Sequence, residues 1–308
     1  MKNKIIRLLI FVMFLSLLFN SNIVTHEMRY SLEVFFKVLF PSIFPFFLIS
    51  NLLIEYDFVN VINKIFDKFT KKIFHSSNSS SFVIIMSMVS GFPSGSKYIK
   101  TLCDKKLLSL DEANYLIVFT HFANPLFILT ITNNIFMDKN IVIYLILSMY
   151  LANLIIGIFI RPKKIPINKE LPSNNYYDFS KALTYSIKDS YNLLLLILGN
   201  TCFFFLVTRL ITEYLPLDIY MQTIINGVFD ITKGISNIRY LNISDISKAI
   251  LVLSFISFGG LNINLQVKSI IADTKIKYSN FFLGRICQLA ISSSVFLFLK
   301  TSLDILLH

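Results

Sequence analysis

The sequence has no tryptophan, three cysteines and nine glycines in 308 residues, and only 15% of it is charged. Soluble domains carry about 25% charged residues. With 55% apolar residues and a mean hydropathy of +0.66, the chain has more apolar surface than one soluble core could hide. This excludes a disordered chain, a secreted disulfide scaffold and an ordinary cytosolic enzyme. Cys103, Cys202 and Cys287 stand alone, with no CxxC pair or metal-ligand spacing. No GxSxG or HExxH motif is present, so no catalytic residue, metal or cofactor is expected. Without Trp, the 14 tyrosines must supply any aromatic belt at a membrane interface.

What remains is long apolar runs and a net charge of +11. Basic patches interleaved with aromatics are missing outside those runs, so the charge does not point to nucleic acid. Lysines in short loops instead predict cytoplasmic segments of a polytopic α-helical membrane protein. The expected partners are the lipid bilayer and a small-molecule substrate.

Residues 5–25 read as a first, retained helix, and residues 32–54 as a second span kinked at Pro41 and Pro45. Residues 59–74 have amphipathic helical spacing suited to the interface. The stretch Phe82–Val89 is too short to cross a bilayer, and it ends at Gly91-Phe92-Pro93-Ser94-Gly95-Ser96-Lys97 before a second short piece. That pattern predicts a re-entrant hairpin, which survives at membrane depth only against protein or a wet cavity. Residues 112–136 predict a span broken near Pro125, and 141–160 a plain span. A basic loop is expected over 161–190. Beyond it come a span at 191–212, an amphipathic segment at 219–238, a second hairpin at 247–271 with its tip at Gly259-Gly260, and a last span at 280–299.

The two halves repeat. Ile62-Asn63-x-x-Phe66-Asp67 recurs as Ile225-Asn226-x-x-Phe229-Asp230, and each copy precedes a short apolar segment with a Gly-rich tip. The expected fold is all-α and polytopic, with two inverted repeats, each holding a re-entrant hairpin and a broken helix. The parts are an N-terminal transmembrane helix (1–28), a first repeat (29–160), the cytoplasmic loop (161–190) and a second repeat (191–308). Paired interrupted half-segments are the sequence pointer to a secondary-transporter site. With the N-terminus inside, only Arg29 and Lys139 of the loop cations before residue 190 face outward. The same count sends Lys233, Arg239, Lys248, Lys268, Lys275 and Lys277 outward, against the rule.

Five motifs carry a resemblance. They are Leu39 to Phe47 (LFPSIFPFF), Gly91 to Lys97, Asn124 to Ile128 (NPLFI), Phe229 to Gly234 (FDITKG) and Phe258 to Gln266. In this order they resemble the YlbJ-type sporulation integral membrane proteins, of the nucleoside-recognition "Gate" group related to concentrative nucleoside transporters. The resemblance implies a bacterial membrane protein, placed in the outer forespore membrane, that moves dipicolinic acid during sporulation. It also implies a second copy of the chain or other sporulation membrane proteins as partners. Asp230 stands where Glu is usual in that family, and Lys233 where an uncharged residue is usual.

The candidate substrate-binding residues follow from the breaks. Gly91, Pro93 and Gly95 let backbone approach a solute, Ser94 and Ser96 offer hydroxyls, and Lys97 could neutralise a carboxylate. His121 and Asn124 lie three apart on one helix face. Asp230, with Thr232 beside it, is a carboxylate at membrane depth, suited to a cation or proton or to pairing with Lys233. Gly259 and Gly260 form the second tip, and Asn262, Asn264 and Gln266 alternate, so an extended stretch would aim all three amides one way. A small dicarboxylate suits this set. A nucleoside is the alternative substrate, and a non-transporting scaffold of a sporulation complex the alternative role.

Overall fold

The computed structural model describes residues 2–163 and 178–307. Most of these residues are helical, and no strand occurs among them. Helix α1 (Lys2–Phe19) leads to α2 (Ser21–Val34), which passes through a π-turn at Phe35–Leu39 into α3 (Phe40–Glu55). The kink expected of the prolines is that π-turn. Pro41 has no N–H to offer the carbonyl four residues back, and the turn widens just before it. Helix α4 (Phe58–Phe74) is set off by left-handed residues at both ends, Asp57 and His75.

Helices α5 (Asn78–Ser90) and α6 (Ser94–Asp104) fold back on each other at Gly91–Pro93. At 1.5 Å per residue they are about 20 and 16 Å long, so neither crosses a hydrocarbon core of about 30 Å. Helix α7 (Leu110–Phe119) opens with a Ser109–Glu112 capping box and stops at Phe119. The chain runs non-helically over 120–124 and resumes as α8 (Pro125–Thr132), so the break falls where Pro125 predicts it. Helix α9 (Lys139–Phe159) ends the first half.

The second half has the same order of elements. Helix α10 (Phe179–Tyr214) begins twelve residues before the predicted span, so Lys181 and Lys188 ride on a helix and not in a loop. The remainder of the predicted basic loop, residues 164–177 with Lys164 and Lys169, lies outside the described residues. Next come α11 (Ile219–Phe229), α12 (Ile231–Ile238), α13 (Asp245–Phe258), α14 (Gly260–Ile270) and α15 (Tyr278–Leu307).

Here the structure corrects the sequence reading. The fold-back of the second half is α11–α12, with Asp230 at its tip, and not the segment around Gly259. Gly227 and Gly234 touch there, and a Cβ on Gly234 would collide with the Gly227 backbone. Gly259 and Gly260 have positive φ and only jog the chain between α13 and α14, which together form one apolar crossing, Asp245–Ile270. The glycine pair reads as a tip in sequence because it punctuates loops. The true tip has neither glycine nor proline. Asp67, the apparent repeat mate of Asp230, sits inside α4.

Five helical stretches among the described residues are long and apolar enough to cross a membrane: 21–55, 139–159, 179–214, 245–270 and 278–302. The extra crossing at 245–270 also relieves part of the charge conflict. Lys277 N–H donates to Asn114 Oδ1 (2.8 Å), and Asn280 donates to Asn114 O (3.0 Å). The start of α15 therefore sits with the start of α7. Ser77 N–H on Glu112 (3.0 Å) and Arg161 on Ile73 O (3.3 Å) bring the ends of α4 and α9 to the same end. Lys275 and Lys277 thus join the lysines of α4. Asn20 on Tyr214 (2.5 Å) and Tyr30 beside Ser236 (3.4 Å) mark the opposite end, where Arg239 and Lys248 remain.

Gly234→Ala is predicted to destabilise the fold by about 1–3 kcal/mol, because the new methyl overpacks a backbone contact. Gly199→Ala, on a face with nothing within 4 Å, should not destabilise it. Thermal unfolding of the two purified variants checks this, and equal midpoints would contradict the α11–α12 crossing.

Candidate functional site

Two hairpin tips and two helix interruptions meet in the middle of the molecule. Each tip rests on the interruption of its own half. A Cβ on Gly91 would lie 2.6 Å from Asn124 N, and one on Gly260 would lie 3.2 Å from Phe229 O. The two interruptions also approach each other, since a Cβ on Gly259 would lie 3.4 Å from His121 Nε2. Between the tips is a small cavity of about 30 Å³. Its polar lining includes Asn124, Thr201, Asp230, Thr232, Asn262 and Gln266, with Phe92 and Pro93 from the first tip. Leu39, Ile43, Phe127, Ile197 and Ile263 supply apolar walls.

Breaking a helix in the membrane frees N–H groups on one side and carbonyls on the other. Asn124 Oδ1 accepts from Leu126 N (2.7 Å) and Phe127 N (3.4 Å), capping α8. Asp230 Oδ1 accepts from Thr232 N (2.8 Å) and Lys233 N (3.2 Å), capping α12. Helix α6 also begins at the cavity, at Pro93, and the first turn of α14 reaches it through Asn262 and Ile263. Four positive dipole ends therefore converge on one small space.

An amide chain joins this centre. Gln266 Nε2 donates to Asn262 Oδ1 (2.8 Å), and Asn262 Nδ2 donates to the second oxygen of Asp230 and to Thr201 Oγ1 (3.3 Å). Asn262, Asn264 and Gln266 are helical, not extended. Asn262 and Gln266 share a face by their spacing of four. Asn264 turns to Phe258 O (3.1 Å) and Gly260 O (2.7 Å) and holds the α13–α14 jog.

Other predicted residues are spent elsewhere. Ser94 Oγ donates to Gly91 O, and Ser96 Oγ to Pro93 O (2.7 Å), so both hydroxyls brace the tip. Gly95 packs on Thr120 O. Lys97 is outside the cavity lining and pairs with Asp189 of α10. The Lys233 ammonium turns away from Asp230 to pair with Glu27 of α2 and to donate to Phe205 O (2.9 Å). His121 is buried and stacks on Phe92 at 4.8 Å, with its Nε2 unpartnered. It lines a separate void of about 10 Å³ with Ser96 and Phe281.

The freed carbonyls take their donors from residues outside the predicted set. Arg285 of α15 is fully buried and donates to Val118 O (2.8 Å) and His121 O (3.4 Å). Asn153 of α9 donates to His121 O (2.8 Å), and Tyr150 to Ala123 O (3.2 Å). An arginine inside the apolar run 280–299 was the available signal. Glu27 gave none, because its partner is some two hundred residues away.

Asn262→Leu is predicted to cost about 2–3 kcal/mol, because it strands the Asp230 carboxylate and the Gln266 amide. Combined with Asp230→Asn the losses should be less than additive, since both act on one network. A double-mutant cycle of unfolding midpoints measures this, and strict additivity would dissolve the network.

Residues 36–138, from the π-turn through hairpin α5–α6 and α7–α8, match the family model described as nucleoside recognition, or Gate. The chain is 27% identical to the sporulation integral membrane protein YlbJ of Bacillus subtilis over 342 aligned positions, covering 96% of this chain and 83% of that one. No solved structure matches it. The chain is thus an integral membrane protein, similar to the sporulation integral membrane protein YlbJ over nearly its whole length and carrying a segment that matches the Gate model.

Proposed function

We propose that the protein is a transporter of a small organic anion, and that an aromatic dicarboxylate of the dipicolinate type is its solute. The observation that carries this reading is the convergence of four helix N-termini and an amide chain on one cavity between two hairpin tips. Such dipole ends favour anionic groups, and half-helices meeting at the membrane centre are the usual build of transporter sites. Hairpin α5–α6 has its open end beside Glu112, while hairpin α11–α12 has its open end beside Tyr30, at the opposite end of the molecule. This supports an inverted repeat whose hairpins gate opposite sides. The lysine-rich end with α4, Lys275 and Lys277 is then cytoplasmic by the positive-inside rule.

The cavity as it stands has room for about one or two waters, whereas small-molecule pockets span about 300–1,000 Å³. The tips must part to admit a solute, so this arrangement is the closed state of an alternating cycle. The charge of Asp230 would repel a dianion, and a proton or cation therefore travels with it. A nucleoside would use the same amides but draw nothing from the dipole ends. A sealed, wholly apolar interior would have favoured a scaffold. His121 stacks on Phe92 and does not reach a nucleophile, which speaks against intramembrane catalysis.

Uptake of labelled pyridine-2,6-dicarboxylate into proteoliposomes tests the proposal. Saturable uptake is expected, and uridine should not compete. Loss of the Asn124 cap, worth about 1 kcal/mol, should slow it several-fold in Asn124→Ala. Asp230→Asn should remove its dependence on a proton or sodium gradient. No accumulation by the parent, or uridine outcompeting the acid, would overturn it.

A further inference from the structure

The space large enough for a solute lies not between the tips but at the end where hairpin α11–α12 opens. A cleft of about 410 Å³ sits there between α2, α10 and that hairpin. A second cleft of about 330 Å³ adjoins it, and both are lined by Tyr30, Ser236 and Arg239. Thr232 lines both this second cleft and the central cavity, so it forms the wall between them.

The walls of the larger cleft carry Arg209, Lys233 and Arg239 against one carboxylate, Glu27. Lys233 is held by Glu27, and Arg209 by Glu213 at 2.8 Å. Arg239 lies on the Tyr240 ring at 4.5 Å and has no carboxylate in ion-pair reach among the described residues. Tyr30 and Tyr240 add aromatic surface.

We propose that this cleft is a peripheral binding site for a small organic carboxylate, anchored by Arg239 and flanked by Tyr30 and Tyr240. Lys233 couples it to the centre. Its backbone N–H caps onto Asp230 while its ammonium faces the cleft. A bound carboxylate competes with Glu27 for that ammonium and loosens the bond that ties hairpin α11–α12 to α2. The inference rests on the transport reading for its purpose, but its binding chemistry stands by itself.

Calorimetric titration of pyridine-2,6-dicarboxylate into the full chain in nanodiscs tests it. Arg239 is exposed, so Arg239→Gln should fold; its Kd should rise about tenfold or more for the lost charge-assisted contact, and Arg239→Lys should recover part of that. Gly199→Ala, on a face with nothing within 4 Å, should leave this Kd within about twofold. Binding lost in Asn262→Leu yet unchanged in Arg239→Gln would overturn the cleft site, as would no saturable binding by the parent. Arg239-dependent binding without uptake in proteoliposomes would keep the site and remove the transport reading. Uptake with an Arg239-independent Kd would do the reverse.

Discussion

Every peptide group placed in lipid must find a hydrogen-bond partner inside the protein. An uninterrupted helix meets that demand unaided. This chain stops its helices four times near its centre, at Gly91, Thr120, Asp230 and Gly259, and each stop exposes groups that cost several kcal/mol if left bare. The rest of the architecture follows from how they are satisfied. Carbonyls at the breaks of the first half are fed by side chains of neighbouring full-length helices, chiefly Arg285, Asn153 and Tyr150. In the second half Asn264 plays that part, itself held by Tyr278 (2.8 Å).

On the other side of the breaks, Asn124 and Asp230 cap two of the four helix starts, beside a cavity with room for a water or two. Gly91 and Gly260 let each tip lie against the break it closes, where any side chain would hold the two apart.

The breaks of the first half were legible because their signals are local. Pro125 ends α7, Pro93 and the glycines around it turn hairpin α5–α6, and both segments are too short to span. The second half misled for an equally physical reason. Its tip is a lone aspartate between apolar residues, and its backbone crossing depends on Gly227 and Gly234, which look unremarkable in an amphipathic run. Gly259-Gly260, the louder signal, merely offsets a helix that goes on. The basic count in the second half, which ran against the positive-inside rule, left open a relaxed rule or a span count wrong by one. Among site residues, Asn124, Asp230, Thr232, Asn262 and Gln266 line the cavity, the last two through helical spacing and not the extended alternation expected. Lys97, Ser94 and Ser96 do not serve it, because Asp189 and the tip carbonyls take them; those partners are set by packing, which spacing cannot reveal.

The account depends on the two tips closing over one central space and parting in turn. The most direct measurement joins them. In a background without Cys103, Cys202 and Cys287, Pro93→Cys and Ile231→Cys, both on the cavity lining, are bridged by a short thiol-specific cross-linker, and solute flux is followed in proteoliposomes before and after cleavage of the bridge. The bridge should form in the intact membrane, halt flux, and release it on cleavage. Flux at the parental rate through the bridged protein would contradict the account.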